Sequence, residues 1–127
     1  MIKLSHLLSV AVLMLFVAGT TRAEIPFTTK ALAVAQASGK PVLVHVHADW
    51  CPNCAAQKKI LAKLLKQPGL KGFQVLQVDF DTQTDVVKAL GVRYQSTLIV
   101  YKGSKEMGRS TGSTDEKEIA ALLKKAV

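Results

Sequence analysis

Val42-Leu43-Val44-His45-Val46-His47-Ala48-Asp49-Trp50-Cys51-Pro52-Asn53-Cys54 is the stretch that decides the fold. It opens as a strand: Val42, Val44 and Val46 fall on one face, and Leu43, His45 and His47 on the other. It closes on the only two cysteines of the chain, with Pro52 and Asn53 between them. Pro52 suits the first turn of a helix, where a missing N–H costs nothing. That helix is expected to run to about Lys66, with Ile60, Leu61, Leu64 and Leu65 as its apolar stripe. A strand therefore runs into a helix with both thiols at the junction. Two thiols at this spacing can close a disulfide and open it again. The first stands where a helix N-terminus stabilises its thiolate, which is what thiol–disulfide exchange requires.

Working outward, the run from Thr28 to Ser38 has helical spacing, with Thr28 or Thr29 as its cap, and Gly39-Lys40-Pro41 stops it. On the other side Gln67-Pro68-Gly69 ends the cysteine helix, and Phe73 to Phe80 reads as a second strand. A short helix from about Thr84 to Leu90 is closed by Gly91. Thr97 to Tyr101 is a third strand, turned by Lys102-Gly103-Ser104 into a fourth, Glu106 to Thr111. Ser113-Thr114-Asp115-Glu116 has the form of a capping box with Ser113 as the cap, before a last helix that turns Ile119, Leu122 and Leu123 inward. This order predicts an α/β domain, one central mixed sheet flanked by helices.

The chain has 127 residues, of which 49% are hydrophobic, enough for one domain with a real core. Its first stretch reads differently. A basic start at Lys3, an apolar run from Leu7 to Ala18 and small residues up to Ala23 form the pattern of a secretory signal peptide over residues 1–23. The apolar run falls short of the roughly 20 residues of a membrane span, so a membrane contact is expected only if the segment stays uncleaved. The folded domain is then 24–127. Export to the periplasm or the medium puts the cysteines where disulfides form and persist. The net charge of +8 spreads over helix faces without a nucleic-acid motif, so no nucleic-acid partner is expected.

The region after the signal segment resembles the thioredoxin family across nearly its whole length. The resemblance rests on Ala48-Asp49-Trp50-Cys51-Pro52-Asn53-Cys54, on the strand end Val78-Asp79-Phe80-Asp81, and on Gly91-Val92-Arg93-Tyr94-Gln95-Ser96-Thr97-Leu98-Ile99-Val100. It implies a thioredoxin fold and an oxidoreductase whose nucleophile is Cys51, exposed at the helix start. Cys54 is then the buried resolving thiol, and the substrate is met by Trp50, Pro52, Asn53, Gln95, Ser96 and Thr97. The implied partners are cysteine-containing exported proteins and a redox protein that supplies or removes electrons. No cofactor beyond the Cys51–Cys54 disulfide is implied, and the expected state is a monomer.

The departures from the family pattern carry information too. Ser96 stands where the family has a cis-proline. A cis Gln95–Ser96 bond would cost about 2.5–4 kcal/mol, so the loop is either strained or trans and differently shaped. Ser96 would also bring an N–H and a hydroxyl towards the sulfurs. His45 takes the place of a buried aspartate and Gln77 that of its lysine partner. His45 is thus a candidate acceptor for the Cys54 proton, or a neutral strand histidine bonded to Gln77 or to backbone. His47 is expected to pack on Trp50. A second function class remains open: Cys51 and Cys54, with His47 or Ser96, holding a metal or an iron–sulfur cluster, although two cysteines alone do not complete a tetrahedral site. A purely structural disulfide is the third, and closing so short a loop gives it little entropic return.

Overall fold

The computed structural model describes residues 24–127; the expected signal segment, 1–23, lies outside the described residues. The strand read from the decisive stretch is β2 (Val42–His47), and it is the middle of a five-stranded sheet. On one side it pairs in parallel with β3 (Gln74–Asp79), and β3 in turn with a two-residue edge strand, β1 (Ile25–Pro26). On its other side it pairs antiparallel with β4 (Thr97–Lys102), which carries β5 (Lys105–Thr111) at the far edge. The parallel β2–β3 pair requires a crossover connection, and α2 (Pro52–Leu64) supplies it. The remaining helices are α1 (Thr29–Ala37), α3 (Thr84–Ala89) and α4 (Glu116–Lys124). Among the described residues no helix is long and apolar enough to cross a membrane.

The alternation along β2 sorts the core into two layers. Val42, Val44 and Val46 join Phe27, Leu76, Val78, Ile99 and Tyr101 under α1 and α3. Leu43 joins Leu61, Leu64, Phe73, Leu98 and Leu123 under α2 and α4. Both layers exclude water from β2, which is why it reads as a nearly continuous apolar run.

Several boundaries differ from the sequence reading. α2 stops at Leu64, because Lys66 and Gln67 donate to the carbonyls of Lys63 and Leu64 in a tight final turn. β1 has no counterpart in the sequence reading. It holds the edge with Ile25 opposite Leu76 and Pro26 opposite Gln77, a position where a proline costs the ladder nothing. The cap of α1 is Thr28, whose hydroxyl accepts from the Ala31 N–H at 2.9 Å. The cap of α4 is Asp115 and not Ser113: its carboxylate accepts from the Glu118 N–H at 2.9 Å. Ser113 instead bonds the Glu118 carboxylate through its hydroxyl, while its carbonyl accepts from Gln57 on α2. Gly108 on β5 lets α4 come close, since a Cβ there would lie 3.1 Å from a Leu122 methyl.

Candidate functional site

At the end of β2 the chain turns through Ala48-Asp49-Trp50, with the Cys51 N–H donating to the Ala48 carbonyl at 3.1 Å. Cys51 is the N-cap of α2 and Pro52 its first helical residue. Cys51 and Cys54 form a disulfide with their Cα atoms 5.3 Å apart. The Cys51 sulfur also accepts from the Cys54 N–H at 3.1 Å. A sulfur held as a helix cap meets free N–H groups and the positive end of the helix dipole, so this position favours negative charge on Cys51 once the bond is opened. The expectation of an exposed Cys51 needs correction. It is 4% exposed and Cys54 3%, both packed with Ala48 and against Phe80. Access lies around them, at Trp50, Pro52 and Asn53, all exposed.

Trp50 is fixed rather than loose. Its indole N–H donates to the Asp81 carboxylate at 2.8 Å. The Asp79 carboxylate accepts from the N–H groups of Asp81 and Thr82 and so shapes the loop that carries Asp81. His47 makes no ring contact with Trp50. Its Nδ1 lies 4.0 Å from the Asp49 carboxylate, and its ring 6.0 Å from that of His45.

The Ser96 loop approaches from β4. Among the described residues no peptide bond is cis, so of the two forms open from sequence the loop takes the trans one. Its different shape comes from Ser96 itself, which adopts φ +57, the left-handed region that a non-glycine residue enters at a cost of about 1–2 kcal/mol. The Ser96 carbonyl accepts from the Gly112 N–H and from the Gln57 side chain, each at 2.9 Å. The Thr97 hydroxyl donates to the Tyr94 carbonyl at 2.8 Å and meets the Thr111 hydroxyl at 2.9 Å. Gln95 is half-buried beside them. Asn53 reaches the Gly112 carbonyl at 3.5 Å, the outer limit of a hydrogen bond. No hydrogen bond joins Ser96 to either sulfur among the described residues; the Cys51 sulfur takes its bond from the Cys54 N–H.

Behind the cysteines lies a buried polar chain, and its two key members went unread in the sequence. His45 is 1% exposed and meets Gln57 through Nε2 at 3.2 Å; Gln77, although in register with it on β3, is not its partner. The His45 Nδ1 faces the Glu24 carboxylate at 3.9 Å, and Lys58 stands 3.9 Å from the other Glu24 oxygen. Contact with the His45 ring, helped by Lys58 and His47 and opposed by burial, holds the Glu24 carboxyl below its ordinary value. Neither His45 nitrogen is turned to a sulfur, so a direct proton transfer from Cys54 finds no hydrogen-bonded path here. Gln57 had a readable signal: it falls in line with Cys54, Leu61 and Leu64 on the buried face of α2, a polar residue where an apolar one would serve for packing. Among the described residues no group of three or more His, Cys, Asp or Glu side chains converges as a metal site.

The comparisons agree with this geometry. The family model for thioredoxin matches residues 25–125. A thioredoxin of Chlamydia muridarum is 32% identical over 84 residues, which cover 66% of this chain and 80% of that protein. The thiol:disulfide interchange protein DsbE of Haemophilus influenzae is 37% identical over 70 residues, 52% of this chain but only 36% of that protein. Among solved structures, Trxlp from Edwardsiella tarda superposes with a TM-score of 0.75 at 42% identity, covering 80% of this chain and 98% of that one. With a sheet of this order, a cysteine pair capping the crossover helix and a family match along the described residues, the chain belongs to the thioredoxin family of thiol–disulfide oxidoreductases.

Proposed function

We propose that this chain is an exported oxidoreductase that exchanges disulfides with cysteine-containing proteins of the periplasm or the medium. Residues 1–23 serve as its signal peptide, and it works as a monomer alongside a redox partner protein. The observation that carries the reading is the capped disulfide. Cys51 and Cys54 are joined at the first turn of α2, where the Cys51 sulfur already accepts the Cys54 N–H. In the reducing direction the Cys51 thiolate attacks a substrate disulfide. That S–S bond breaks, one substrate sulfur leaves as a thiolate, and a mixed disulfide forms. Cys54 then attacks the Cys51 sulfur, its proton passing to solvent. The second substrate thiolate departs, and the Cys51–Cys54 bond closes. Two electrons have moved to the substrate, and a partner dithiol returns them. Run backwards, the same steps donate a disulfide. The disulfide is itself the redox group, so no further cofactor is needed.

Trp50, Pro52 and Asn53 ring the pair with exposed surface, and the Gln95-Ser96-Thr97 loop borders it with a fixed backbone. Together they form the surface on which a substrate cysteine is presented. Equilibration of protein expressed from the full chain with glutathione tests the reading. A reversible couple near −120 mV marks a disulfide donor and one near −270 mV a reductant, on the scale of about −270 to −120 mV that such motifs span. Absence of any reversible couple overturns the proposal. A Cys54→Ser variant, which can start exchange but not resolve it, should accumulate mixed disulfides on Cys51.

A further inference from the structure

Gln57 is fully buried, and its amide has one workable orientation. Its Nε2 lies 2.9 Å from the carbonyl oxygens of both Ser96 and Ser113, so two hydrogens meet two acceptors. Turned over, the amide would set an oxygen against both carbonyls. Oε1 is therefore the atom that faces His45 Nε2, and a carbonyl oxygen only accepts. His45 must donate from Nε2.

A ring protonated at Nε2 presents at Nδ1 either a bare lone pair or a second proton. Nδ1 is buried without a hydrogen bond, and it faces the Glu24 carboxylate, whose Oε2 is in the same condition. A lone pair aimed at a carboxylate, away from water, is unfavourable for both atoms; an N–H there turns the same contact into an attractive ion pair. The lowered Glu24 carboxyl agrees with the second proton lying on the ring. Among the described residues, the other charged or titratable groups facing the pair are His47 from β2 and Lys58 from α2, while β3 presents the neutral Gln77.

We propose that Glu24 and Gln57 together hold His45 as an imidazolium under the buried face of α2, which makes Glu24 a positioning residue for exchange at the cysteines. Its functional consequence rests on the thiol–disulfide reading of Cys51 and Cys54. Gln57, one turn beyond Cys54 on the same helix face, brings the cation to the side of α2 that carries the resolving sulfur. When a partner dithiol reduces the pair, two electrons enter the S–S bond and it breaks. One sulfur takes a proton from the partner, the other stays a thiolate, and the partner's second proton goes to solvent while its own disulfide forms. The imidazolium favours that thiolate, and so favours the reduced form.

The test uses protein expressed from the full chain and labelled with 15N. Near neutral pH the ring spectrum of His45 is expected to show protons on both nitrogens. In Glu24→Gln, with no carboxylate facing Nδ1, the ring should be neutral with its proton on Nε2 alone. Glu24→Asp should keep the imidazolium. A neutral wild-type ring, a proton on Nδ1 alone, or an unchanged ring in Glu24→Gln overturns the proposal. Glutathione equilibration is the second readout: Glu24→Gln should shift the constant about tenfold towards the oxidised protein, equivalent to about 30 mV for this two-electron couple, with Glu24→Asp near wild type. An unchanged or opposite shift overturns the positioning role. If the wild-type protein has no reversible couple, the exchange reading fails while the ring spectrum still decides where the proton is.

Discussion

The two faces of β2 are built on opposite terms. Towards α1 and α3 it presents Val42, Val44 and Val46 to a layer of apolar side chains. Towards α2 it presents Leu43 to a second apolar cluster, and then His45 to a run of polar groups from Glu24 through Gln57 to the carbonyls of Ser96 and Ser113. The first face is held by area and packing, which tolerate compensation among neighbours. The second is held by matched donors and acceptors, where each group depends on one or two named partners. Stability is concentrated in the one and the chemistry of the site in the other. Four experiments probe that division.

The largest effect expected is on activity alone. Cys51→Ser should bring disulfide reduction of a model protein to the uncatalysed level while the far-ultraviolet circular dichroism stays native. The short loop the bond closes adds little to stability. Retained turnover in Cys51→Ser would move the nucleophile elsewhere. Next come two core substitutions, one per face. Leu76→Ala, in the apolar layer, should cost about 2–5 kcal/mol in urea unfolding and leave the reduction potential where it was. Gln57→Leu should cost about 1–3 kcal/mol for each group it strands. The His45 Nε2–H and the Ser113 carbonyl lose this partner, whereas the Ser96 carbonyl keeps Gly112. It should also move the potential. If both variants alter the potential equally, the two faces are not distinct in function.

The same division explains what the sequence made legible. The alternation of β2, the helix opened by Pro52, and the β-β-α close were readable because apolar periodicity over six or more residues leaves few alternatives. The two-residue β1 was not, since Ile25-Pro26 is too short for any period and owes its place to a neighbouring strand. The cap of α4 was misplaced by two residues because Ser113 and Asp115 are both good capping types. What decides between them is that the Ser113 carbonyl is already tied to Gln57, fifty-six residues away in the chain. His45 stood out as a buried polar candidate, but its partner did not. Gln77 sits across the ladder from it, and only three-dimensional packing shows that the bond goes to α2 instead. The accessibility of Cys51 was likewise beyond sequence, being set by Ala48 and Phe80, which follow β2 and β3 and stand far apart in the chain.

Ser96 offers a smaller and sharper test, because it is the one non-glycine residue with positive φ among the described residues. Ser96→Gly removes the left-handed penalty and should raise stability by a few tenths to about 1 kcal/mol. Ser96→Pro cannot keep φ +57, since proline is held near −65. It should therefore lose stability, or recover it only with a rebuilt loop, visible as altered amide shifts at Gly112 and Ser113. A stabilised Ser96→Pro with unchanged shifts would mean the loop is not held as described.

The smallest effects are on the pH dependence of stability, and there the two faces separate by sign. Glu24 belongs to the polar chain. The His45 ring beside it lowers its folded pKa from 4.5, so its contribution is fully present above the unfolded value and is lost as pH falls through the lowered folded one. Tyr101 belongs to the apolar layer, where burial, and then the charge of Glu106, raise its hydroxyl above the ordinary 10.0. Its neutral form is the favoured one in the fold. That contribution is present below the unfolded value and is lost as pH rises through the raised folded one. Urea midpoints measured across pH should therefore flatten on the acid limb in Glu24→Gln and on the alkaline limb in Tyr101→Phe, with Tyr101→Phe leaving the acid limb alone. Were Glu24→Gln to flatten neither limb, the carboxylate would not be paired in the fold, and the contrast between a matched polar face and a packed apolar one would lose its outermost member.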